Sequence, residues 1–392
     1  MREPRENENP ASQRRPRPRP VLMIPLRRCG SHALRLRLNF NPDFYAPYPL
    51  HIVDFMPLVA LYGDLRDDAA YFQMVVDVVG LQTVSMVKWP DVVFDPVEVF
   101  ETIKNEPRSV HRIVWELLLQ AGVKRGATVV MDKSLDSVHY AAELMKLFDD
   151  LLFLNVVRDP RAQVSSMNRA IIHDFDTLLN AATWVKAYTV GRKLADAYPD
   201  RVLTIRYEDF VSNQEAVLRK ICSFFGITFT PDMLDISRSQ EAQKISHMSA
   251  LWESNWSAPI AANVDKFKKA LTAEEIEIIE TLTGDFMDYY GYERMAGGEA
   301  KITPRVVAAA KKRSEANKKK AWADLKNNDN RDYRLRRFRA DYLRMVKERL
   351  LEKDPKRTRV KAADKTAEPP RARKKTFVFK TPNDLSQCRG GS

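Results

Sequence analysis

The chain has 392 residues, of which 44% are hydrophobic and 30% are charged, and its formal net charge is +12. That length exceeds one typical domain, and the apolar share is sufficient for a sizeable α/β core. No apolar run reaches the roughly 18 residues of a membrane span, and the start of the chain lacks a signal peptide's apolar segment, so we expect a cytoplasmic protein. The three cysteines are too few and too scattered for a disulfide framework or a zinc site, so no metal is expected.

Charge divides the chain into an acidic body and two basic ends. Residues 301–392 contain 29 Lys or Arg against 11 Asp or Glu, and residues 1–20 contain 6 against 3. The body, residues 21–300, therefore has a net charge of −9. A body of this charge needs a local cluster of cations if it is to bind a strongly anionic ligand.

A basic loop near the start of the chain is the first candidate for an anion site. The leader, residues 1–20, is polar and rich in proline, which is typical of disorder. An apolar strand predicted over residues 21–26 leads into the loop, and a helix predicted over residues 33–40 follows it. A glycine in the loop allows close approach of the backbone, and the N–H groups at a helix start carry partial positive charge. The loop residues are Arg27, Arg28, Cys29, Gly30, Ser31 and His32.

A second candidate lies where the apolar run of residues 151–157 ends in the sequence Arg-Asp-Pro. Such a run is typical of a strand buried on both faces of a parallel sheet. Asp159 suits the cap of a helix and Pro160 its first turn. Arg158 then stands at the carboxyl end of the strand, and Ser166 lies on the helix eight residues later, where open α/β sheets bind ligands. A cation and a hydroxyl in this position suit a phosphate, although Arg158 and Asp159 alone could equally form an ion-paired junction.

The segment R-D-P-R-A-Q-V-S-S, residues 158–166, resembles the 3′-phosphate-binding motif of sulfotransferases that use 3′-phosphoadenosine-5′-phosphosulfate (PAPS). Other segments resemble the family in the expected order. Residues 129–134 are similar to its strand that ends in K-[ST], residues 202–210 to its strand with an R-Y-E-D turn, and residues 272–293 to its closing helix with a G-Y-E terminus. The basic loop matches at Arg28, Gly30 and Ser31 and departs at Cys29 and His32. The resemblance covers about residues 21 to 295.

The resemblance implies an α/β fold of the three-layer, P-loop-like type, with a central parallel β-sheet flanked by helices, over residues 21–296. A basic helical extension is predicted over residues 297–353, followed by a disordered basic tail, residues 354–392. Helices are expected over residues 303–326 and 332–352. The second has a rough apolar stripe formed by Tyr333, Phe338, Tyr342, Met345, Val346 and Leu350.

The resemblance also assigns roles to the candidate residues. The loop from Arg27 to His32 would hold the 5′-phosphosulfate, Lys133 would contact the bridging or sulfuryl oxygens, and Arg158 and Ser166 would hold the 3′-phosphate. Arg161 is expected to add a further cation. PAPS would be the co-substrate and 3′-phosphoadenosine 5′-phosphate (PAP) the product, and no metal is required because the donor brings its own leaving group.

In much of the family, a Glu or His shortly beyond the first helix is the general base. His51 is the best candidate here, and Asp54 could orient its imidazole if this segment is helical. His32 is the competing candidate. The remaining histidines are expected to be structural: His111, His139, His173 and His247.

The acceptor is expected to be a small molecule or a carbohydrate with a hydroxyl group, and the acidic body favours a neutral or cationic alcohol. Most aromatic residues, including Tyr48 and Trp252, are expected in the core, and Ser254 to Trp256 fall where the family often has a loop over the nucleotide. The extension is expected to pack on the body or to support a homo-oligomer, and nucleic acid is not an expected partner.

Two other classes of protein remain as alternatives. One is a P-loop-type ATP-dependent kinase, which the absence of G-x-x-x-x-G-K-[ST] disfavours. The other is a non-catalytic nucleotide-binding scaffold whose basic tail binds nucleic acid or membrane.

Overall fold

The computed structural model of the chain describes residues 17–253 and 264–352. Most of the predicted leader, the segment around Trp256 and the predicted tail, residues 354–392, lie outside the described residues. Residue contacts divide the chain into a unit that ends at Met345 and a unit that begins at Val346, a boundary within the last described helix, Asn330–Glu352.

Among the described residues, parallel strands form one five-stranded sheet. The strands are β1 (Arg19–Ile24), β2 (Phe44–Tyr45), β3 (Val129–Asp132), β4 (Leu152–Val157) and β5 (Val202–Arg206). Their order is β2-β3-β1-β4-β5. In the centre, Val21 of β1 pairs with Met131 of β3 on one side and with Leu152 of β4 on the other. The strands β2 and β3 lie on one side of β1, and β4 and β5 lie on the other. At such a reversal of strand order, the carboxyl ends of the central strands border a crevice suited to a ligand.

Helices connect the strands and continue beyond them to the end of the described residues. None of the helices in this part of the chain is long and apolar enough to cross a membrane. In chain order they are α1 (Ser31–Leu38), α2 (Met56–Val59), α3 (Asp68–Thr83), α4 (Pro96–Ile103), α5 (Val110–Arg125), α6 (Ala141–Leu147), α7 (Pro160–Asn168), α8 (Thr177–Ala197), α9 (Tyr207–Ser212), α10 (Gln214–Phe225), α11 (Gln240–Ser246), α12 (Phe267–Ala270), α13 (Ala273–Tyr290), α14 (Pro304–Asn328) and α15 (Asn330–Glu352).

Helices cover both faces of the sheet, as predicted. On one face, Met23 of β1 belongs to the same buried cluster as Ile221 of α10. On the other face, Gly122 of α5 packs so closely on Val130 of β3 that a larger residue at position 122 would meet the valine side chain. The resulting three layers confirm the predicted α/β fold class, and α14 and α15 form a helical extension.

The start of α7 confirms the predicted cap but not the predicted role of Arg161. Asp159 accepts a hydrogen bond from the Arg161 N–H at 2.8 Å, and Pro160 occupies the first turn. The Arg161 guanidinium forms buried ion pairs with Asp159 and with Glu280 of α13, each at 2.7 Å. The expectation that Arg161 adds a cation for the donor is therefore wrong, because two carboxylates already neutralise it.

Two of the family-like motifs contact the Arg-Asp-Pro turn. Glu208 of the R-Y-E-D turn accepts a hydrogen bond from the Asp159 N–H at 3.0 Å. It also accepts one from the Tyr292 hydroxyl of the G-Y-E terminus, at 2.8 Å. These bonds fix the backbone just after Arg158, so segments far apart in sequence position this residue together.

The helical extension packs on the sheet domain through polar contacts. On α14, Arg313 bonds to Asp176 at 3.0 Å. On α15, Asp332 accepts a hydrogen bond from Ser249 at 2.8 Å, and the Tyr342 hydroxyl donates to the Asp77 carbonyl at 2.8 Å.

The predicted apolar stripe of α15 is confirmed only in part: Val346 and Leu350 are buried, but other members are not. Phe338 is 58% exposed and Met345 is 51% exposed, so neither packs in a core. Arg336 and Arg339 face the body instead. The stripe was inferred from hydrophobicity alone, whereas polar groups of the body supply partners for the arginines.

We predict that Arg161→Met lowers the free energy of unfolding by about 3–5 kcal/mol, because Asp159 and Glu280 would keep buried charges without their partner. Urea denaturation of the full chain measures the change. As a control, Arg238→Met removes an exposed ion pair with Asp232 and should change stability by less than about 1 kcal/mol. Equal, small losses in both variants would contradict the structural role of Arg161.

Candidate active site

A cavity of about 800 Å³ lies at the carboxyl edge of the sheet. Its wall includes the loop after β1, residues that follow β3 and β4, and residues of α14 and α15. The predicted site residues on this wall are Arg27, Arg28, Gly30, Ser31, His32, His51, Lys133, Arg158 and Ser166. The structure thus brings together every predicted site residue except Cys29 and Arg161.

Cys29 points away from the cavity. Its side chain is fully buried in the hydrophobic cluster that also contains Leu34 of α1. Burial raises the pKa of the thiol to about 11, so the side chain remains neutral. With its side chain in the hydrophobic cluster, Cys29 could contact a 5′-phosphosulfate only through its backbone.

The two halves of the predicted anion site are in direct contact. Arg28 donates a hydrogen bond from Nε to Oγ of Ser166 at 3.0 Å, and Arg158 donates from Nη1 to the Arg28 carbonyl at 2.9 Å. Burial, together with the positive charge of Arg158, lowers the pKa of Arg28 to about 10. A bound anion would relieve this repulsion, and the arrangement is therefore suited to a multiply charged ligand.

Tyr207, which follows β5, supports both guanidinium-bearing segments. Its ring lies 4.6 Å from the guanidinium carbon of Arg158. The same ring packs against Gly30, where a Cβ atom would clash with it and where φ is +86°. Glycine is therefore required at this position on both steric and conformational grounds. The R-Y-E-D turn was the sequence signal for Tyr207, but this contact was not predicted.

Gln163 of α7 joins the basic loop to Arg158. Its buried amide donates to the Arg27 carbonyl at 2.8 Å and accepts hydrogen bonds from Trp184 at 2.9 Å and from the Tyr188 hydroxyl at 2.7 Å. The Tyr188 oxygen in turn accepts the backbone N–H of Arg158 at 3.2 Å. Sequence reasoning missed Gln163, whose only signal was its place within R-D-P-R-A-Q.

Lys133 brings a buried ammonium group to the cavity wall directly after β3. Its side chain is 2% exposed, and burial, with an added contribution from Arg35, lowers its pKa to about 7. The neighbouring cation Arg27 is paired with Asp136 at 2.7 Å. Among the described ion pairs, none involves Lys133, so its charge depends directly on what binds in the cavity.

The two candidate bases, His32 and His51, lie on either side of Tyr48. The Tyr48 ring centroid is 5.8 Å from that of His32 and 6.0 Å from that of His51. Burial lowers the pKa of both imidazoles well below 6.5, which favours the neutral form that can accept a proton. The Nδ1 atom of His32 is buried and has no hydrogen-bond partner among the described residues.

Asp54 does not orient His51 as expected. His51 has a left-handed backbone, with φ at +51°, and a 3₁₀ helix, Ile52–Asp54, begins after it. The Asp54 carboxylate pairs with Arg339 of α15 at 3.2 Å. Arg339 also donates to the His51 carbonyl at 3.1 Å, so it holds the backbone of this histidine.

Several cavity residues were assigned to the core or were not assigned at all. Tyr48 and Trp252 are buried as expected, but both also line the cavity. Trp322 of α14 and Arg336 of α15 line it as well, and no sequence motif marks them. The four histidines expected to be structural, namely His111, His139, His173 and His247, are not among the cavity-lining residues.

A model of the sulfotransferase family matches residues 20–231, which is just over half of the chain. The chain belongs to this family. The match includes β1 to β5, the basic loop, Lys133, Arg158 and Ser166, but it does not include α14 and α15. The sulfotransferase resemblance predicted from the sequence is therefore confirmed.

Curated relatives of this chain include the omega-hydroxy-beta-dihydromenaquinone-9 sulfotransferases Stf3 of Mycobacterium bovis and Mycobacterium tuberculosis. Each is 25% identical over 210 residues, which are 50% of this chain and 49% of the relative. The chain thus aligns with about half the length of these relatives.

Solved structures similar to this chain include two sulfotransferase domains. The domain from the olefin synthase of Synechococcus PCC 7002 is 22% identical, with a TM-score of 0.47, and the match covers 68% of this chain and 95% of that domain. The domain from the curacin biosynthetic pathway is 16% identical, with a TM-score of 0.48, and the match covers 71% of this chain and 99% of that domain.

Proposed function

We propose that this sulfotransferase moves a sulfuryl group from PAPS to a hydroxyl group of a small-molecule or carbohydrate acceptor. The main support for the proposal is that Arg28 is hydrogen-bonded to both Ser166 and Arg158 beside the start of α1. Membership of the sulfotransferase family supports sulfuryl transfer, and the name of the mycobacterial relatives describes a hydroxylated compound. The donor and the acceptor are the parts that need testing.

The residues around the cavity fit an anionic donor. The Nε atoms of Arg27 and Arg158 are buried and lack hydrogen-bond partners among the described residues, so an anion would satisfy them. Arg158 and Ser166 would hold the 3′-phosphate, while Arg28, Ser31 and the N–H groups at the start of α1 would hold the 5′ end. PAPS would supply the sulfuryl group together with a phosphate leaving group.

The chain's own residues would then neutralise charge and move one proton. The acceptor oxygen forms a bond to sulfur while the bond between sulfur and the leaving phosphate oxygen breaks, and PAP departs. Lys133 and Arg28 would neutralise the charge on the leaving oxygen. A neutral imidazole, of His51 or of His32, would accept the proton of the acceptor hydroxyl.

We expect PAP to raise the melting temperature of the full chain more than ADP or ATP with Mg²⁺, because Arg158 and Ser166 recognise the 3′-phosphate. Arg158→Ala should weaken PAP binding roughly 10- to 100-fold, the loss expected for a hydrogen bond between charged groups. Thermal shift and calorimetry measure both effects, and Arg238→Ala, a substitution of an exposed arginine, is the control. Equal responses to all three nucleotides would contradict recognition of the 3′-phosphate, and a response to ATP with Mg²⁺ alone would favour a kinase instead.

We expect PAP binding to weaken as the pH rises above about 7. The free chain loses the Lys133 proton near that pH, whereas a bound anion favours the ammonium form, so binding takes up a proton. The effect can reach about tenfold in affinity per pH unit. Calorimetry from pH 6 to 9 should show that the affinity for PAP declines more steeply with pH for the wild type than for Lys133→Met. The variant serves as the reference because it retains the pH dependence that comes from ionisation of the nucleotide itself. Identical slopes would contradict the role of Lys133.

We expect His51→Ala to retain PAP binding and to lower kcat about 10²- to 10⁴-fold, the usual contribution of a general base. Transfer of labelled sulfate from PAPS to a panel of alcohols and sugars measures kcat, and His247→Ala, at an exposed histidine that does not line the cavity, is the control. If His51→Ala remains active and His32→Ala does not, the base is His32. Full activity in both variants would exclude a histidine base.

A further inference from the structure

The C-terminal helices reach the cavity beside the two candidate bases. Arg339 of α15 bonds to the His51 carbonyl, as described above. One turn earlier on α15, the guanidinium carbon of Arg336 lies 6.0 Å from the Trp252 ring centroid, and this ring lies 6.3 Å from that of His32. The surface next to the histidines is therefore built partly by helices outside the segment that matches the family model.

This part of the cavity wall is mainly apolar. Apolar side chains from the segment after β2, from the turn after α3 and from both C-terminal helices contribute to it. They are Val53, Pro57, Met86, Trp322, Ala340 and Leu343. These side chains contrast with the arginines and hydroxyls around Arg28, so the cavity wall combines cationic groups with apolar surface, and the histidines and Tyr48 also line it.

The arginines on the C-terminal helices already have anionic partners. Arg336 pairs with the buried Asp332 at 2.8 Å, and Arg339 pairs with Asp54. Lys318 of α14 also lines the cavity, but it is exposed to solvent. A strongly anionic acceptor would have to compete with the paired carboxylates, whereas an apolar group would bury the surrounding hydrocarbon surface without disturbing them.

The apolar wall is attached firmly to the rest of the molecule. Ser249 bonds to Asp332 at the start of α15, and Tyr342, in the middle of this helix, bonds to the Asp77 carbonyl. Ser314 of α14 donates to Asp174 at 3.3 Å and accepts the Phe175 N–H at 3.1 Å. A wall held at several points can select a substrate by shape, since little order must be gained on binding.

We propose that the acceptor is an apolar alcohol, whose hydrocarbon part lies against the wall formed by α14 and α15 while its hydroxyl reaches the histidines. The proposal rests on the sulfuryl transfer proposed above and names its acceptor class. The described cavity, about 800 Å³, lies within the range of pockets that bind small organic ligands.

The first test is transfer of labelled sulfate from PAPS to a series of straight-chain primary alcohols, from ethanol to octanol, with glucose as a polar comparison. We expect kcat/KM to rise about fourfold for each added methylene until the wall is covered, in line with the burial of one CH₂ group. A kcat/KM that does not change with chain length, or one that is higher for glucose, would overturn the proposal.

The second test uses variants of α15. Leu343→Ala should lower the ratio of kcat/KM for octanol to that for ethanol at least tenfold, and Ala340→Phe should lower the same ratio by obstructing the wall. Phe338→Ala is the matched control, because this side chain lies on the same helix and is 58% exposed. Equal ratios in the wild type and both wall variants would overturn the proposal.

Binding of PAP separates the two levels of failure. Each variant is first checked for the wild-type increase in melting temperature with PAP, which also shows that it folds. If the wild type itself shows no such increase, the proposed donor is wrong. If the increase is present but alcohol length has no effect, only the apolar acceptor is wrong.

Discussion

The buried amide of Gln163 connects the two parts of the candidate site. It fixes the carbonyl of Arg27 on one side, and through the Tyr188 hydroxyl it fixes the backbone N–H of Arg158 on the other. A buried polar group that loses its partner costs about 1–3 kcal/mol, so neither segment can move without breaking this set of bonds. The two arginine-bearing segments are therefore held in place before any ligand arrives, which reduces the ordering that binding requires.

This arrangement gathers like charges that would otherwise repel one another. Burial and nearby cations lower the pKa of Arg28 to about 10 and that of Lys133 to about 7. The cost must be offset elsewhere in the fold, and the buried pairing of Arg161 with Asp159 and Glu280 holds the adjacent helix in place. The protein thus separates two uses of arginine: one neutralised residue supports the structure, while its neighbours keep positive charge at the cavity.

Local sequence patterns were sufficient for the sheet and for much of the site. Apolar runs predicted β1 and β4, the family resemblance predicted β3 and β5, and the strand–turn–helix pattern placed Arg158 and Ser166 at the carboxyl edge of the sheet. Features that depend on partners distant in sequence were not predictable in this way. Glu280, the partner of Arg161, is 119 positions away in the sequence. Arg339 faces the body because its hydrogen-bond acceptors, the Leu50 carbonyl and the Asp54 carboxylate, lie more than 280 positions earlier in the chain. Two-residue β2 is too short to leave a periodic pattern.

The position of α14 and α15 has a consequence for how the molecule can change during evolution. Arg28, Arg158 and Ser166 belong to the sheet connections, where most substitutions would also disturb a packed core. Another part of the cavity wall comes from α14 and α15, which lie outside the segment that matches the family model. Selection could therefore vary these helices in composition or length, and alter which molecules fit, while the machinery for handling the anion stayed constant.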